Sequence, residues 1–434
     1  MRRTRLMASI AALGAASVVL AACGGGTDTA VEETTAAEAP AEEAPAATDN
    51  CPLIIGTLLP QTGSLAFLGP PEFAGVDLAV GEINGAGGVL GQEVQHLVGD
   101  SGDTTTDIAS QTVDSHLAAG AQAIVGAASS GVSLTVIDKI TSAGVVHFSP
   151  ANTSPELTTY DDGGLYFRTA PPDTFQGAVM AQLVANDGHT KLAVLNLDDS
   201  YGNGLATVTK DAFTAAGGEV VAAITYDPNA AEFAAEVTQV KAAAPNAVVL
   251  IGFDETTKIL QEMIKQGVGP DAVPVYLVDG NLSGSAYAEL PADIMVGVKG
   301  TLPGAAATTE LQDRLKGVNA DLTDFSYAAE SYDAVNLIAL AAQLGGSCDG
   351  QTIADNLLAV SGTDGGDACS DFASCKALLD GGATAIDYEG QSGPVNFNQY
   401  GDPGVATMGV YAYTANDKYE PLLEEFITAD VPQP

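Results

Sequence analysis

Positive charge is scarce in this sequence: 15 Lys and Arg stand against 55 Asp and Glu, a formal net charge of −40 over 434 residues. Beyond residue 5 the only arginines are Arg168 and Arg314. Neutralising phosphates needs clustered Lys and Arg, so nucleic acid is excluded as a partner. Docking on an anionic membrane through a basic patch is excluded on the same ground. Histidine is equally sparse. His96, His116, His147 and His189 are scattered, with no His-x-x-His or Cys-x-x-Cys spacing, so no metal site and no cofactor is expected. Tryptophan is absent, and beyond the first 22 residues no stretch of 18 uninterrupted apolar residues exists to span a bilayer. What the chain does have is 46% hydrophobic residues, enough for two or three domains with real cores. Its acidity favours solubility and says nothing about fold.

The start of the chain says where the protein works. Arg2, Arg3 and Arg5 precede an apolar run from Leu6 to Ala22, which ends Leu20-Ala21-Ala22-Cys23 before three glycines. A basic start, an apolar stretch and small residues at the cut describe a secretory signal peptide over residues 1–22. The Leu-Ala-Ala-Cys ending resembles the lipobox of bacterial lipoproteins, which implies that Cys23 is acylated and holds the protein on the lipid bilayer. Residues 24–50 carry seven acidic residues and no basic one among Ala, Thr, Gly and Pro. Such a segment cannot bury enough apolar surface to order itself and reads, from residue 23 to 50, as a disordered linker.

From residue 51 onward, short β-rich runs alternate with helical patterns. Strands are expected at 53–59, 122–126, 145–148, 191–197, 220–226, 247–251 and 273–278. Helices are expected at 72–83, 105–119, 132–143, 174–186, 204–216, 230–243 and 256–266. A more helical stretch (311–379) and strand-like 394–397 and 405–413 follow. Alternation of this kind predicts an α/β fold with parallel sheets, and the number of units predicts two doubly wound lobes.

Several local patterns carry chemistry. Gly85-Ala86-Gly87-Gly88-Val89-Leu90-Gly91 is glycine-rich, but it follows a helix and reads as a helix end and turn, not a phosphate loop. Ala127-Ala128-Ser129-Ser130-Gly131 lies between a strand and a helix and is close to a nucleophile elbow, so a secreted serine hydrolase using Ser129, with His147 or His189 as base, is one reading. A helix cap is another. Hydroxyls and free N–H groups forming an anion site at the helix start is the third, and it fits best. Ser149-Pro150-Ala151-Asn152-Thr153-Ser154 ends the next strand. In the second half, Asp198-Asp199-Ser200-Tyr201-Gly202, Gly252-Phe253-Asp254-Glu255 and Val278-Asp279-Gly280 occupy equivalent strand ends, where open α/β sheets bind ligands. One lobe thus offers hydroxyls and N–H donors and the other carboxylates and aromatics, the complement of a small zwitterion.

Gly56-Thr57-Leu58-Leu59-Pro60-Gln61-Thr62-Gly63, Phe73-Ala74-Gly75-Val76 through Glu82-Ile83-Asn84, residues 149–157, and Asp199-Ser200-Tyr201-Gly202 together resemble the periplasmic leucine/isoleucine/valine-binding protein family. The resemblance runs from residue 53 to the C-terminal strands. It implies a type I periplasmic binding fold with three hinge crossings, near 168–170, 298–301 and 390–394. Lobe 1 is then 51–168 plus 301–391, and lobe 2 is 169–300 plus 392–434. It implies that Ser130 and Thr153, beside Ser129 and Asn152, hold a ligand carboxylate. The Ala151 carbonyl, Thr153 and Asp279 meet the ammonium, while Tyr201, Phe253 and Phe67 line the side-chain pocket. The family's usual Glu is Asp279 here.

With Cys23 acylated, four cysteines remain, which allow three pairings. A local Cys369–Cys375 loop is favoured, leaving Cys51–Cys348. The expected protein is a monomeric, lipid-anchored, extracytoplasmic receptor that delivers an amino acid, branched-chain or similarly small and apolar, to the permease subunits of an ABC importer. It catalyses nothing. A receptor for amides or urea, or a sensory partner, is the alternative.

Overall fold

The computed structural model describes residues 51–433. The signal segment, Cys23 and the linker to residue 50 lie outside them. Two large sheets, with a third of only two strands, organise these residues. The first begins with β1 (Ile54–Leu58), followed by helix α1 (Gly69–Gly85), β2 (Gln95–Leu97), α2 (Ile108–Ala118), β3 (Ala123–Gly126), α3 (Ser130–Thr141), β4 (Val146–Ser149) and β5 (Tyr166–Arg168). All its pairings are parallel, in the order β2-β1-β3-β4-β5. Helix α1 starts three residues earlier than its apolar pattern predicts. Pro70 and Pro71 sit in its first turn, where their missing N–H groups cost nothing. The glycines behind it close the helix: the Gly88 N–H donates to Ile83 O at 2.9 Å, and Gly87 and Gly88 take φ of +94° and +73°.

The second sheet is built from α4 (Asp173–Asn186), β6 (Lys191–Leu197), α5 (Ser200–Ala215), β7 (Glu219–Tyr226), α6 (Ala234–Ala243), β8 (Ala247–Ile251), α7 (Thr256–Gln266), β9 (Val275–Leu277) and β10 (Lys299–Pro303). The chain then supplies α8 (Thr309–Val318), α9 (Ala328–Gly345), α10 (Gly350–Val360), β11 (Asp367–Cys369), α11 (Phe372–Asp380) and β12 (Ile386–Tyr388) to the first lobe. It returns with β13 (Val405–Ala415), β14 (Lys418–Pro421) and β15 (Ile427–Asp430). The second sheet runs β14-β13-β10-β9-β8-β6-β7, with β15 also on β13. It is not wholly parallel, because β13 pairs antiparallel with β10, β14 and β15.

Each large sheet has its own core. Strands β1, β3 and β4 pack on α1 and on α9, which is buried on every side from Ala328 to Ala342. Strands β6 and β8 pack on α4, α5 and α7 through Leu205, Phe213 and Ile259. The first crossing between the lobes follows β5. The other two lie later than expected. Strand β10 continues to Pro303 because residues 301–303 go on pairing with β13 after β9 has ended, so the chain leaves the second sheet at Gly304 instead of near 298–301. Residues 394–397 are not a strand. Val395 and Phe397 belong to the first core, where Phe397 meets Phe148 and Phe167 edge-on at 5.8 and 5.5 Å. The return therefore runs through 398–404, not 390–394. Cys51 is bonded to Cys348 and Cys369 to Cys375.

Candidate functional site

The strand orders set where a ligand can sit. In the first sheet the order reverses at β1 and β3, and in the second at β6 and β8, and the chain beyond those carboxyl ends faces across the cleft. From the first lobe comes the turn after β3. Ser129 caps α3, its Oγ accepting from the Val132 N–H at 3.3 Å. The Ser130 Oγ accepts from the Thr153 and Ser154 N–H groups at 3.3 and 3.2 Å, which ties this turn to the one after β4 and leaves the hydroxyl proton free to donate. Ser130 and Thr153 are both buried.

Arg168 holds that second turn in place. The fully buried guanidinium donates to the carbonyls of Asn152 and Ser154 at 3.2 and 2.9 Å, to Thr158 Oγ1 at 2.7 Å, and pairs with Asp402 at 2.6 Å. Thr153 O accepts from the Asp173 N–H at 2.7 Å. Among the described residues nothing donates to the Ala151 carbonyl, which remains an available acceptor.

The second lobe brings Tyr201, Phe253 and Asp279. Asp199 caps α5 by accepting from the Gly202 N–H at 2.7 Å, which sets Tyr201 in the first turn. A side chain at Gly202 would collide with Leu197 O, so the Tyr-Gly pair is dictated by helix packing. Tyr201 stacks on Phe253 with centroids 5.6 Å apart and rings 8° from parallel. Asp279, 5% exposed, accepts from Tyr201 OH at 2.7 Å, Gln176 Nε2 at 2.9 Å and Tyr327 OH at 2.6 Å. Burial raises its pKa, and the Tyr327, Tyr201 and Gln176 donors pull against that rise. Every one of these donors is neutral.

Leu65, Leu68, Ala128, Ser129, Ser130, Ala151, Thr153, Tyr201, Phe253, Asp279, Gly280 and Tyr327 enclose a cavity with about 10 Å³ of free space, room for one water, and no Lys or Arg reaches it. Two expected residues are not part of this wall. Asn152 is a strut: its Nδ2 donates to Ala127 O and Ala128 O, both at 2.9 Å, and its Oδ1 accepts from Tyr166 OH. Phe67 packs partly buried on the second core, while its neighbours Leu65 and Leu68 face the cavity. Tyr327 and Gln176 escaped the sequence reading because neither stands at a strand end. Outside lies an acidic mouth of about 550 Å³, bordered by Asp103, Asp199, Asp254 and Lys258 and sharing Ser129 and Phe253 with the inner cavity.

The lobes touch across the cleft. Ser154 Oγ and Ser200 Oγ are 2.6 Å apart, and Ser200 donates to Glu156 at 2.8 Å. No histidine borders either cavity that Ser129 faces. His147 is buried in β4, edge-on to Tyr166, and borders neither cavity. Among the described residues no group of three or more His, Cys, Asp or Glu is arranged to hold a metal. Among them also no helix is long and apolar enough to cross a membrane.

Residues 52–398 match the family described as periplasmic binding protein, and the chain belongs to it. It is a solute-binding protein with the type I fold. The chemotactic signal transduction system substrate-binding protein BasB of Halobacterium salinarum is 29% identical over 81% of this chain and 85% of its own. The branched-chain amino acid transporter substrate-binding protein LivJ of Streptococcus pneumoniae, solved with isoleucine, superposes with a TM-score of 0.70 at 25% identity, covering 88% of this chain and all of that one. An R. palustris solute-binding protein solved with 4-hydroxybenzoate has the same fold, with a TM-score of 0.70 at 17% identity over 88% of this chain and 98% of its own.

Proposed function

We propose that this protein captures an amino acid with a small apolar side chain between its lobes and presents it to the permease subunits of an ABC importer, held on the outer face of the cell membrane through acylated Cys23. The observation that carries this reading is Asp279, a buried carboxylate with three neutral donors and no cation, facing hydroxyls and helix N–H groups across the cleft. An ammonium supplies the missing positive charge. Ser130, Thr153 and the start of α3 take the carboxylate, and the Ala151 carbonyl a further ammonium proton. Tyr201, Phe253, Leu65 and Leu68 surround the side chain. A lone aromatic carboxylate, the ligand type of the R. palustris protein, would place two anions together. The available space requires the lobes to part for entry, so capture is a hinge closure.

A sensory role for the same capture is favoured by one observation, the chemotactic relative from Halobacterium. Hydrolysis is disfavoured, because Ser129 spends its oxygen as a helix cap and has no base beside it.

Calorimetry with leucine, isoleucine and valine, and with the matching acids lacking the amine, tests the reading. Asp279→Ala should weaken amino-acid binding by about 100-fold or more, since it leaves a buried ammonium unpaired, and should lower the melting temperature of the ligand-free protein, since it also strands the Tyr201, Tyr327 and Gln176 donors. The deaminated acids should lose far less. Equal losses for both ligand types would remove Asp279 from the ammonium site, and no amino-acid binding by the parent protein would remove the ligand class.

A further inference from the structure

A second cavity, of about 270 Å³, lies beside the hinge and is walled by both lobes. Its floor is the second crossing, from Pro303 through Ala307. One wall comes from Phe325 and the start of α9, the other from Tyr411 of β13 and Tyr419 of β14. Most of this lining is apolar or aromatic. Tyr411 and Tyr419 stand edge-to-face, with centroids 5.6 Å apart and planes at 86°.

Into this setting the fold places Glu330, 3% exposed, whose carboxylate has no side-chain partner and no cation beside it. Its charged surroundings are Glu72 of α1, Asp333 of α9 and, across the cavity, Asp324, all acidic. Gly304, at φ +89°, is what lets the carboxylate lie against the crossing, because a Cβ there would collide with Glu330 Oε1. Two lysines lie nearby: Lys418 borders the cavity, but its ammonium is largely exposed and paired with Glu420, and the Lys316 ammonium sits over the Phe325 ring, 5.2 Å from its centroid.

Tyr327 is shared by the two cavities. The residue borders the hinge cavity, its hydroxyl donates to Asp279 in the cleft at 2.6 Å, and its φ of +59° is costly for a residue with a Cβ.

We propose that the hinge cavity is a second ligand site for a small organic cation of the alkylammonium class, its charge met by Glu330 and its body held by Tyr411, Tyr419 and Phe325, and that its occupancy is coupled through Tyr327 to the cleft. Aromatic faces and a desolvated carboxylate together select an ammonium carrying apolar groups over a strongly hydrated metal ion. Burial holds the Glu330 carboxyl well above the usual carboxylate range, so pairing with a cation releases a proton. Coupling is reciprocal: what binds behind Tyr327 must alter affinity in front of it, and the reverse.

The test is calorimetric titration of the mature protein with tetramethylammonium chloride, repeated in two buffers of different ionisation enthalpy, with sodium and potassium chloride at equal ionic strength as controls. Saturable binding with proton release is expected. It should weaken about tenfold or more in Glu330→Gln and be blocked in Ala306→Phe, which fills the cavity, with both variants shown to be folded by thermal melts. Absence of saturable tetramethylammonium binding, unchanged binding in both variants, or equal binding of sodium would each overturn the proposal. Leucine titrations with and without saturating tetramethylammonium read the coupling: an altered leucine affinity supports it, and an identical one removes the Tyr327 link. Should leucine not bind at all, the amino-acid reading of the cleft fails while the cation titration still decides the hinge site.

Discussion

Tyr327 is the residue that most changes how Asp279 behaves. Its hydroxyl gives Asp279 the shortest of three hydrogen bonds, and those bonds oppose the rise in pKa that burial imposes. Tyr327→Phe removes one donor that favours the ionised carboxylate, so the Asp279 pKa should rise further. Capturing an ammonium needs that carboxylate ionised. The acid limb of leucine affinity should therefore move to higher pH in Tyr327→Phe, with affinity at about pH 8 reduced less than at about pH 5.5. Leucine dissociation constants measured across that range check it, and a uniform loss at all pH values would show that Tyr327 acts by shape alone. Ser130, Thr153, Tyr201 and Asp279 were legible in the sequence because each follows a recognisable strand, and strand ends are where α/β sheets place ligands. Gln176 lies in α4 and Tyr327 immediately before α9, both beyond the crossings, and only the packing of the two lobes brings them to the cleft. Phe67 illustrates the converse: an aromatic at roughly the right place yields the cavity to Leu65 and Leu68, since a shift of one residue in a turn redirects the side chain.

The elements were legible where a period exists and illegible where partners decide. Strands β1, β3, β6 and β8 show as short apolar runs because parallel strands are buried on both faces. Of the antiparallel edge, β13 was legible as the strand-like 405–413, whereas β14 and β15 have no such signature, and residues 394–397 resemble a strand only because Val395 and Phe397 alternate into the first core. Arg168 lies at the junction of these elements. It joins the end of β5 to the turn after β4 and, through Asp402, to the third crossing. An arginine this rare in the sequence and wholly buried marks a strut. Leaving Asp402 or Arg168 without its partner strands a buried charge, so Arg168→Leu and Asp402→Asn should each lose about 3–5 kcal/mol of stability. Leucine affinity should fall too, because residues 152–154 lose their support. Chemical denaturation of both variants is the measurement, and a loss near that of an exposed ion pair, below about 1 kcal/mol, would show that the turn is held by other contacts.

At the scale of the whole molecule, the acidity seen in the composition continues into the interior. Glu72, Asp173 and Glu330 are buried with pKa values pushed well above the carboxylate range by burial. The charge of Glu330 adds to the effect on Glu72, that of Asp279 adds to it on Asp173, and the Glu72 carboxylate has no hydrogen-bond partner among the described residues. Asp199, at the mouth of the cleft, is pushed up to about 6, again by burial first. For each of these groups the folded protein binds protons more tightly than the unfolded chain. Their contribution to stability is fully present below the unfolded pKa and is lost as pH rises through the folded one. His147 works the other way: burial lowers its pKa to about 4, so its contribution is lost as pH falls between the unfolded value and that point. Burial lowers His116 as it does His147, but these two imidazoles are outnumbered by the raised carboxyls, which also include Asp279, Glu255 and Asp333, so the protein should be more stable at about pH 5.5 than at about pH 8 at fixed ionic strength, a direction that relief of the net negative charge reinforces. Glu72→Gln isolates the buried part, because it removes one titrating group and leaves the surface as it was. Its melting temperature should exceed that of the parent at about pH 8, and its gain on acidification should be smaller. A parent protein that melts at steadily lower temperature from about pH 8 to about pH 5.5 would mean that the buried carboxyls find cations or water on folding, and that the interior is less acidic in its energetics than in its composition.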